Sequence, residues 1–480
     1  MLVYLAAALF SAITLPWKGS ADAFAHMDYV YQVHHGQIPD AFGYQYRKVD
    51  LRKFNIGDAD KTQQWAASHP PLFYYIAALQ MGKPLDSGKW EVAVKRGRLL
   101  NIGIGFLCVV ALAWAGWRLG GRYRNRLAVA LPTIGGTLTI FIRLAGEIYN
   151  DLLVTLFSIL AITLSCIILS DGLKRKYLIA LAVVCALGMA SKATFVFALV
   201  LALGAVFMAV ARYRSGLMVP RLLHGALASA ALAIAAILPI YWFYLGNYRA
   251  SGSWFLPTVR KAFQNRKQMS SWDVLTNDDY WLVVPRGLLG PEWSSTWPFN
   301  DQLSLWLSIF CALALAFLFL ARGYWRRFAA FDWRVLAWLL IAAHFAGLMF
   351  AQWRHATGWG ALNFRYFLPA LLSISLFLAV PAVAWKRASG WLVACIGGLM
   401  VVSGVMSAIT YLDRRYAFIA EGEGSWSRLM AATVSNEISV GWVWVLLWVM
   451  AIGLLVVGWA VAHSDETEAA APEVKPQPAT

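Results

Sequence analysis

The sequence predicts an all-α polytopic membrane protein of about twelve transmembrane helices, with a large first extracytoplasmic loop bearing short juxtamembrane helices. Three observations predict this. First, 60% of the 480 residues are hydrophobic and only 14% are charged, whereas a soluble domain needs far more polar surface. Second, apolar runs of about 20 residues, enough to cross a bilayer core, recur along the whole chain. Third, those runs have helical length and lack the alternation of the roughly 10-residue strands of a membrane barrel. Many of the 24 Trp and 19 Tyr flank the runs, as Trp17, Trp117, Trp242, Trp325, Trp385 and Trp442 do. Interfacial aromatic belts account for that placement without any function.

Taken in order, the run from Leu2 to Trp17 has no basic leader and no small-residue cleavage site, so it reads as a retained helix. A polar insert (17–98, the first outer loop) separates it from spans at Leu99 to Trp117, Leu127 to Leu144 and Leu152 to Leu169. Tyr177 to Ala211 is too long for one crossing and is interrupted at Ser191-Lys192, which predicts a hairpin of two short helices. Further spans are expected at Leu222 to Tyr244, Leu303 to Ala321, Val335 to Ala351, Phe364 to Val383, Trp391 to Tyr411 and Val440 to Ala462. Short loops carrying Arg118, Arg122, Arg124 and Arg126, then Arg322, Arg326, Arg327 and Arg334, then Lys386 and Arg387 all fall on one side. The excess of basic residues marks that side as cytoplasmic and places both termini there. The transmembrane domain is therefore 1–462, with a second large outer loop at 245–302. The polar Ala-, Glu- and Pro-rich segment 463–480 is expected to be a disordered cytoplasmic tail.

The net charge of +16 does not imply a nucleic-acid partner, because much of the basic charge sits in short loops where membrane orientation explains it. The five cysteines lie within apolar runs without paired spacing, as small buried residues do. There is no Walker loop, no dinucleotide-binding glycine fingerprint, no H-E-x-x-H and no nucleophile elbow. No cofactor and no dedicated metal cage is indicated.

Chemistry-bearing residues gather in the segments assigned to the outer face. Asp22, His26 and Asp28 fall within seven positions after the first helix; each alone reads as an ordinary loop charge, and together they offer a general base. In Ser68-His69-Pro70-Pro71-Leu72-Phe73-Tyr74-Tyr75, the Pro-Pro step starts a helix and keeps His69 outside it. His69 and Tyr74 at that helix entrance suit an anionic group. Glu147, Asn150 and Asp151 sit where two spans meet with almost no loop; Arg143 and Glu147 have the spacing of a structural ion pair, and Asp151 that of a helix cap. Arg98, Lys192, Arg249 and Arg365 stand near outer span ends, where each either snorkels to the interface or points into the bundle. Gathered inside, they would form a phosphate cradle.

These residues resemble those of the GT-C superfamily of integral-membrane glycosyltransferases, in the branch containing the protein O-mannosyltransferases and lipid A aminoarabinose transferases. The resemblance rests on Asp22 with His26 after the first helix, HPPLFYY from His69 to Tyr75, Arg98 opening the next span, Asn150-Asp151, and FRYFLPAL with Arg365, Tyr366 and Pro369. The order agrees over roughly the first two-thirds of the chain plus the Arg365 segment. It implies a GT-C-like fold and a transferase that moves a sugar from a polyprenyl-phosphate donor to an acceptor hydroxyl at the outer face, with inversion. Asp22 or Asp28 is then the base, since relatives often carry a second acid where this chain has Ala23. Asp151 becomes a second acid, and His69, Arg98 and Arg365, with Lys192 behind them, take the phosphate. A monophosphate donor requires no metal, although a divalent ion bridging Asp22 and Asp151 would fit the same chemistry. The implied partners are the lipid-linked sugar, a lipid, glycan or protein acceptor, and membrane lipid; the implied place is a bacterial inner membrane. A flippase of lipid-linked saccharides and a non-catalytic envelope-assembly protein are the alternative readings.

Overall fold

The computed structural model describes residues 1–17, 23–39, 65–213, 216–254, 269–290, 300–321, 332–359, 362–415 and 424–464. Among these every regular element is helical. Hydrocarbon offers no partner for a free N–H or C=O, and a helix satisfies its own.

Helix α1 (Leu2–Thr14) leads to α2 (Ala23–His34), and α3 (Leu72–Asp86) precedes the long α4 (Trp90–Leu119). A broken span follows, α5 (Arg124–Thr137) and α6 (Thr139–Ala145), then α7 (Asp151–Asp171), α8 (Arg175–Ser191) and α9 (Val196–Tyr213). Helices α10 (Met218–Ile237) and α11 (Tyr241–Ser251) nearly run together, and α12 (Ser271–Leu275) and α13 (Asp278–Gly287) are short. The rest are α14 (Asn300–Ala321), α15 (Trp333–Trp359), α16 (Leu371–Ala384), α17 (Ser389–Arg415), α18 (Ser425–Ser435) and α19 (Gly441–Ala462).

Every expected span coincides with a helix, but the expected twelve crossings are not all of crossing length. Among the described residues nine helices are long and apolar enough to span, or ten if the bent pair counts as one. Helix α1 has 13 residues, roughly 20 Å at 1.5 Å per residue, and α8 has 17. The single span expected at 127–144 is instead broken at Leu138, where α5 and α6 meet at 69°. Beside the break, the Thr139 hydroxyl donates to the Leu289 and Met400 carbonyls. The span expected to open at Leu99 begins nine residues earlier, at Trp90.

The centre is α7, buried along nearly its whole length. It touches α4, α8, α9 and α15, and the 3-10 turn Phe364–Ala370 that precedes α16. The expected hairpin at Ser191-Lys192 is present and can be followed from its bonds. At one end of α7, Lys192 meets Asp151; at the other, the Tyr213 hydroxyl donates to the Leu169 and Ser170 carbonyls. Arg118 pairs with Asp171 at that second end, so the loop that Arg118 opens and the Asp151 site lie at opposite ends of α7. Lipid provides no hydrophobic drive for helix association, so close packing must supply it. Helices α17 and α19 approach at Gly390 and Gly458, where any side chain at 390 would strike the Gly458 carbonyl.

Of the first loop, residues 40–64 lie outside the described residues, as does Asp22. The described part folds as α2 and α3 packed together, with the entry to α3 as expected: Pro71 precedes its first residue. At their far ends His34 and His35 both reach the Asp86 carboxylate, at 3.1 and 2.8 Å, and Gly82 leaves the space the His34 ring occupies. The bond from His35 is the largest influence holding the Asp86 carboxyl below the usual carboxylate range. Parts of the second large loop (255–268 and 291–299) and the tail from 465 also lie outside the described residues.

Candidate active site

Asp151 is the first residue of α7, and Lys192 follows the last residue of α8. Each charge therefore sits at the helix end of opposite polarity, where the aligned peptide dipoles favour it. Lys192 adopts an extended backbone (φ −162°, ψ 142°) that interrupts the α8–α9 hairpin, and its Nζ lies 2.7 Å from Asp151 Oδ1. Both side chains are buried. Arg365 reaches the same place from the turn Phe364–Ala370, which Asn363 caps by accepting the Arg365 backbone N–H at 2.9 Å. Its guanidinium lies 5.2 Å from the centre of the Tyr149 ring and 5.3 Å from that of Tyr366, within cation–π range.

His69, held outside α3 by the prolines, completes the group. Burial is the largest effect on its imidazole, and the charges of Lys192, His26 and Arg365 add to it against the pull of Asp151. Together they hold it well below the usual histidine range. It is therefore neutral at pH 7 and offers an anion a hydrogen bond, not a charge. Tyr29 fixes its backbone by donating to the His69 carbonyl at 3.1 Å.

An aromatic ladder connects α2 to this group. Tyr29 stacks on Tyr74 at 3.7 Å, the Tyr74 hydroxyl shares a 2.9 Å hydrogen bond with His26 Nδ1, and His26 meets Tyr149 edge-on at 5.3 Å. Tyr149 then carries Arg365. Tyr29 and Tyr149 escape a search for titratable residues. Their signal is positional: Tyr29 lies one helical turn from His26, and Tyr149 stands directly before Asn150-Asp151.

The structure thus brings together His26, His69, Tyr74, Asp151, Lys192, Arg365 and Tyr366 from the expected set. It places the others differently. Asp28 is fully buried and accepts from Gln32 Nε2 at 2.8 Å. Two residues from His26, it lies about 200° further round α2, on a different face. Arg98 donates to the carbonyls of Ala12, Leu15 and Pro16 at 2.7, 2.9 and 2.9 Å. It clamps the end of α1, whose last carbonyls have no partner within the helix. Glu147 pairs with Arg143 at 3.3 Å, the structural pairing that their spacing suggested. Asn150 is fully buried, and its amide atoms have no hydrogen-bond partner among the described residues. The turn it occupies is held by Asn101, which donates to the carbonyls of Glu147 and Tyr149 at 2.8 and 3.0 Å. Arg249 is exposed on α11, outside the buried group. Among the described residues no three His, Cys, Asp or Glu side chains share metal-ligand spacing.

No protein-family model matches the sequence, and neither does any curated protein. Solved structures do resemble it. ArnT from Cupriavidus metallidurans bound to undecaprenyl phosphate superposes over 95% of this chain and 76% of its own, at 12% identity and TM-score 0.50. The apo form of the same protein covers 95% and 75%, at 14% identity and TM-score 0.43. The apo oligosaccharyltransferase of Archaeoglobus fulgidus covers 91% and 56%, at 12% identity and TM-score 0.39. At such identities the likeness is one of fold, and the assignment rests on the first of the three. This chain has the GT-C-like helical fold of that first structure.

Proposed function

We propose that this protein is a membrane glycosyltransferase that moves a sugar from a polyprenyl-phosphate donor to an acceptor hydroxyl where Asp151, Lys192 and Arg365 meet. The observation that carries the reading is their convergence: two cations and one carboxylate, beside a neutral His69, at one end of a GT-C bundle. Lys192 and Arg365 both act on Asp151, and cations so placed suit a lipid phosphate. The ArnT structure was solved with such a lipid bound.

In the proposed reaction the acceptor oxygen attacks the anomeric carbon while the bond from that carbon to the donor phosphate oxygen breaks. The electron pair leaves on the phosphate, and the acceptor proton passes to a carboxylate. Lys192 and Arg365 stabilise the charge growing on the phosphate, Arg365 with the fork geometry suited to two of its oxygens. His69 donates a further hydrogen bond. A single displacement inverts the anomeric centre.

Asp151 is already engaged by Lys192, so we assign it to orient Lys192 and the sugar. The base is then Asp22 or Asp28; because Asp28 occupies a different face of α2 from His26, Asp22 is the first to test. The basic loop at Arg118–Arg126, at the opposite end of α7, supports placing this site at the periplasmic face of a bacterial inner membrane. The acceptor is a lipid, glycan or protein hydroxyl. A flippase reading would draw on the break between α5 and α6, yet the charged cluster stands at the other break, beside Lys192.

The test uses purified protein in nanodiscs, radiolabelled polyprenyl-phosphate sugars and a crude envelope extract as acceptor. Wild type is expected to transfer label, and Asp22→Asn to lose transfer while still binding donor. Donor bound across a broad panel with no transfer by wild type would replace this reading with the flippase or assembly role.

A further inference from the structure

Helix α13, in the second large loop, belongs to neither the charge cluster nor the aromatic ladder. Its buried residues Tyr280, Val283, Val284 and Gly287 follow the i, i+3, i+4, i+7 spacing of an amphipathic stripe. The first three are bulky, and the fourth is a glycine. Glycine inside a helix costs about 1 kcal/mol relative to alanine, and no special backbone asks for it here, since the φ of Gly287 is not positive. What the position lacks is room. A Cβ there would lie 2.7 Å from Phe364 Cβ and closer still to Phe364 Cγ. Ordinary contacts between carbons are about 3.5–4.0 Å, so the neighbour would have to retreat by about 1 Å.

That neighbour is bonded to Arg365. The crowded atoms are the root of the Phe364 side chain, and its Cβ keeps the same place in every rotamer. The ring is buried, stacked at 6.5 Å on Phe367, which in turn meets Phe345 at 5.7 Å. The α13 side of the contact is pinned. The Tyr280 hydroxyl donates to the Met349 carbonyl at 2.9 Å. Two residues beyond Gly287, the Leu289 N–H donates to Ser304 Oγ at 3.1 Å, and its carbonyl accepts from the Thr139 hydroxyl at 3.0 Å. Crowding at 287 therefore falls on the turn Phe364–Ala370, whose second residue is Arg365.

We propose that Gly287 is a positioning residue for Arg365: its missing side chain lets the turn sit close against α13, and so sets how far the guanidinium reaches toward the phosphate of a lipid donor. The role rests on the reading of Asp151, Lys192 and Arg365 as a lipid-phosphate site. A group that binds a ligand must be held to within about 0.5 Å, which is less than the displacement a Cβ at 287 would force.

The test is a double-mutant cycle on the full-length protein in nanodiscs, reading saturable binding of radiolabelled polyprenyl phosphate normalised to folded protein. Gly287→Ala is expected to weaken binding about tenfold, or about 1.4 kcal/mol. In the Arg365→Ala background the same change is expected to alter affinity less than about twofold, because losses that share one cause do not add. A role in packing alone would weaken binding equally in both backgrounds, and that result would overturn the inference. So would wild-type affinity in folded Gly287→Ala. Should Gly287→Ala fail to fold, Phe364→Ala opens the same contact from the other side. It is expected to weaken binding only where Arg365 is present, and equal loss in both backgrounds would again overturn the role. Absence of saturable binding by wild type would strike the lipid-phosphate reading itself, and this role with it.

Discussion

Two groups of buried charge stand at the same end of this bundle and are built differently. Around Arg98 and Arg143 the bonds hold structure together. Arg98 holds three carbonyls at the end of α1, and Arg143 pairs with Glu147 against the Tyr411 ring. Around Asp151 two cations converge on one carboxylate, and Arg365 rests on aromatic rings. The first arrangement is close to balanced by its own dipoles and partner. The second gathers two cations at helix and turn ends beside a buried carboxylate, a setting suited to an anionic ligand. A charged residue near a span end is thus ambiguous until its partners are known, and the contrast can be broken experimentally.

The largest effect is expected from Asp151→Asn, which leaves Lys192 buried without its counter-charge and should cost about 3–5 kcal/mol. Thermal unfolding in detergent would show it, and Asp151→Leu with Lys192→Met should recover most of the loss without restoring transfer. An unchanged unfolding midpoint in Asp151→Asn would mean that the pair carries little of the structure here.

Next comes the pair that separates the two groups. Arg98→Ala is expected to lose about 2–4 kcal/mol, from hydrogen bonds given by a charged donor to helix-end carbonyls. The molecules that remain folded should keep donor affinity. Arg365→Ala should cost less stability but weaken binding of polyprenyl phosphate about ten- to a hundredfold, or about 1.4–2.8 kcal/mol. The reverse pattern would exchange the roles given to the two arginines.

A smaller effect is expected with pH. The folded-state pKa of His69 is held below its ordinary 6.5, so between the two values the unfolded chain binds a proton that the native one does not. Its contribution to stability is present above about pH 6.5 and is lost as pH falls below it. Unfolding midpoints measured from pH 7.5 down to 5 should fall less steeply in His69→Gln than in wild type. Equal slopes would mean that His69 titrates normally. Smallest is Tyr74→Phe, which removes the hydroxyl shared with His26 and should cost about 1 kcal/mol.

Much of the fold could be read from the chain because the bilayer imposes a local rule: each crossing needs its own apolar run. The hairpin at Lys192 was legible for the same reason, a run too long for one span with a charge in its middle. The bend at Leu138 was not, since both arms are apolar and hydropathy carries no direction. The site was legible in part. His69, Asp151, Lys192 and Arg365 have residue types and positions that indicate a polar group near a membrane face, and they do converge. The bonds from Arg98 to the end of α1 could not be foreseen, because those carbonyls lie 82 to 86 residues earlier in the chain. No local pattern distinguishes an arginine that holds a helix end from one that awaits a phosphate. The separation of His26 and Asp28 follows only once α2 is known to be helical, and the ladder through Tyr29 and Tyr149 depends on contacts among four segments.

The central claim is that Asp151, Lys192 and Arg365 form a lipid-phosphate site. It is tested most directly by binding of radiolabelled polyprenyl phosphate to nanodisc-held wild type, Arg365→Ala and Arg98→Ala, each normalised to folded protein. The account expects saturable binding by wild type, unchanged affinity in Arg98→Ala, and loss in Arg365→Ala. Saturable binding that survives Arg365→Ala and disappears in Arg98→Ala would contradict it.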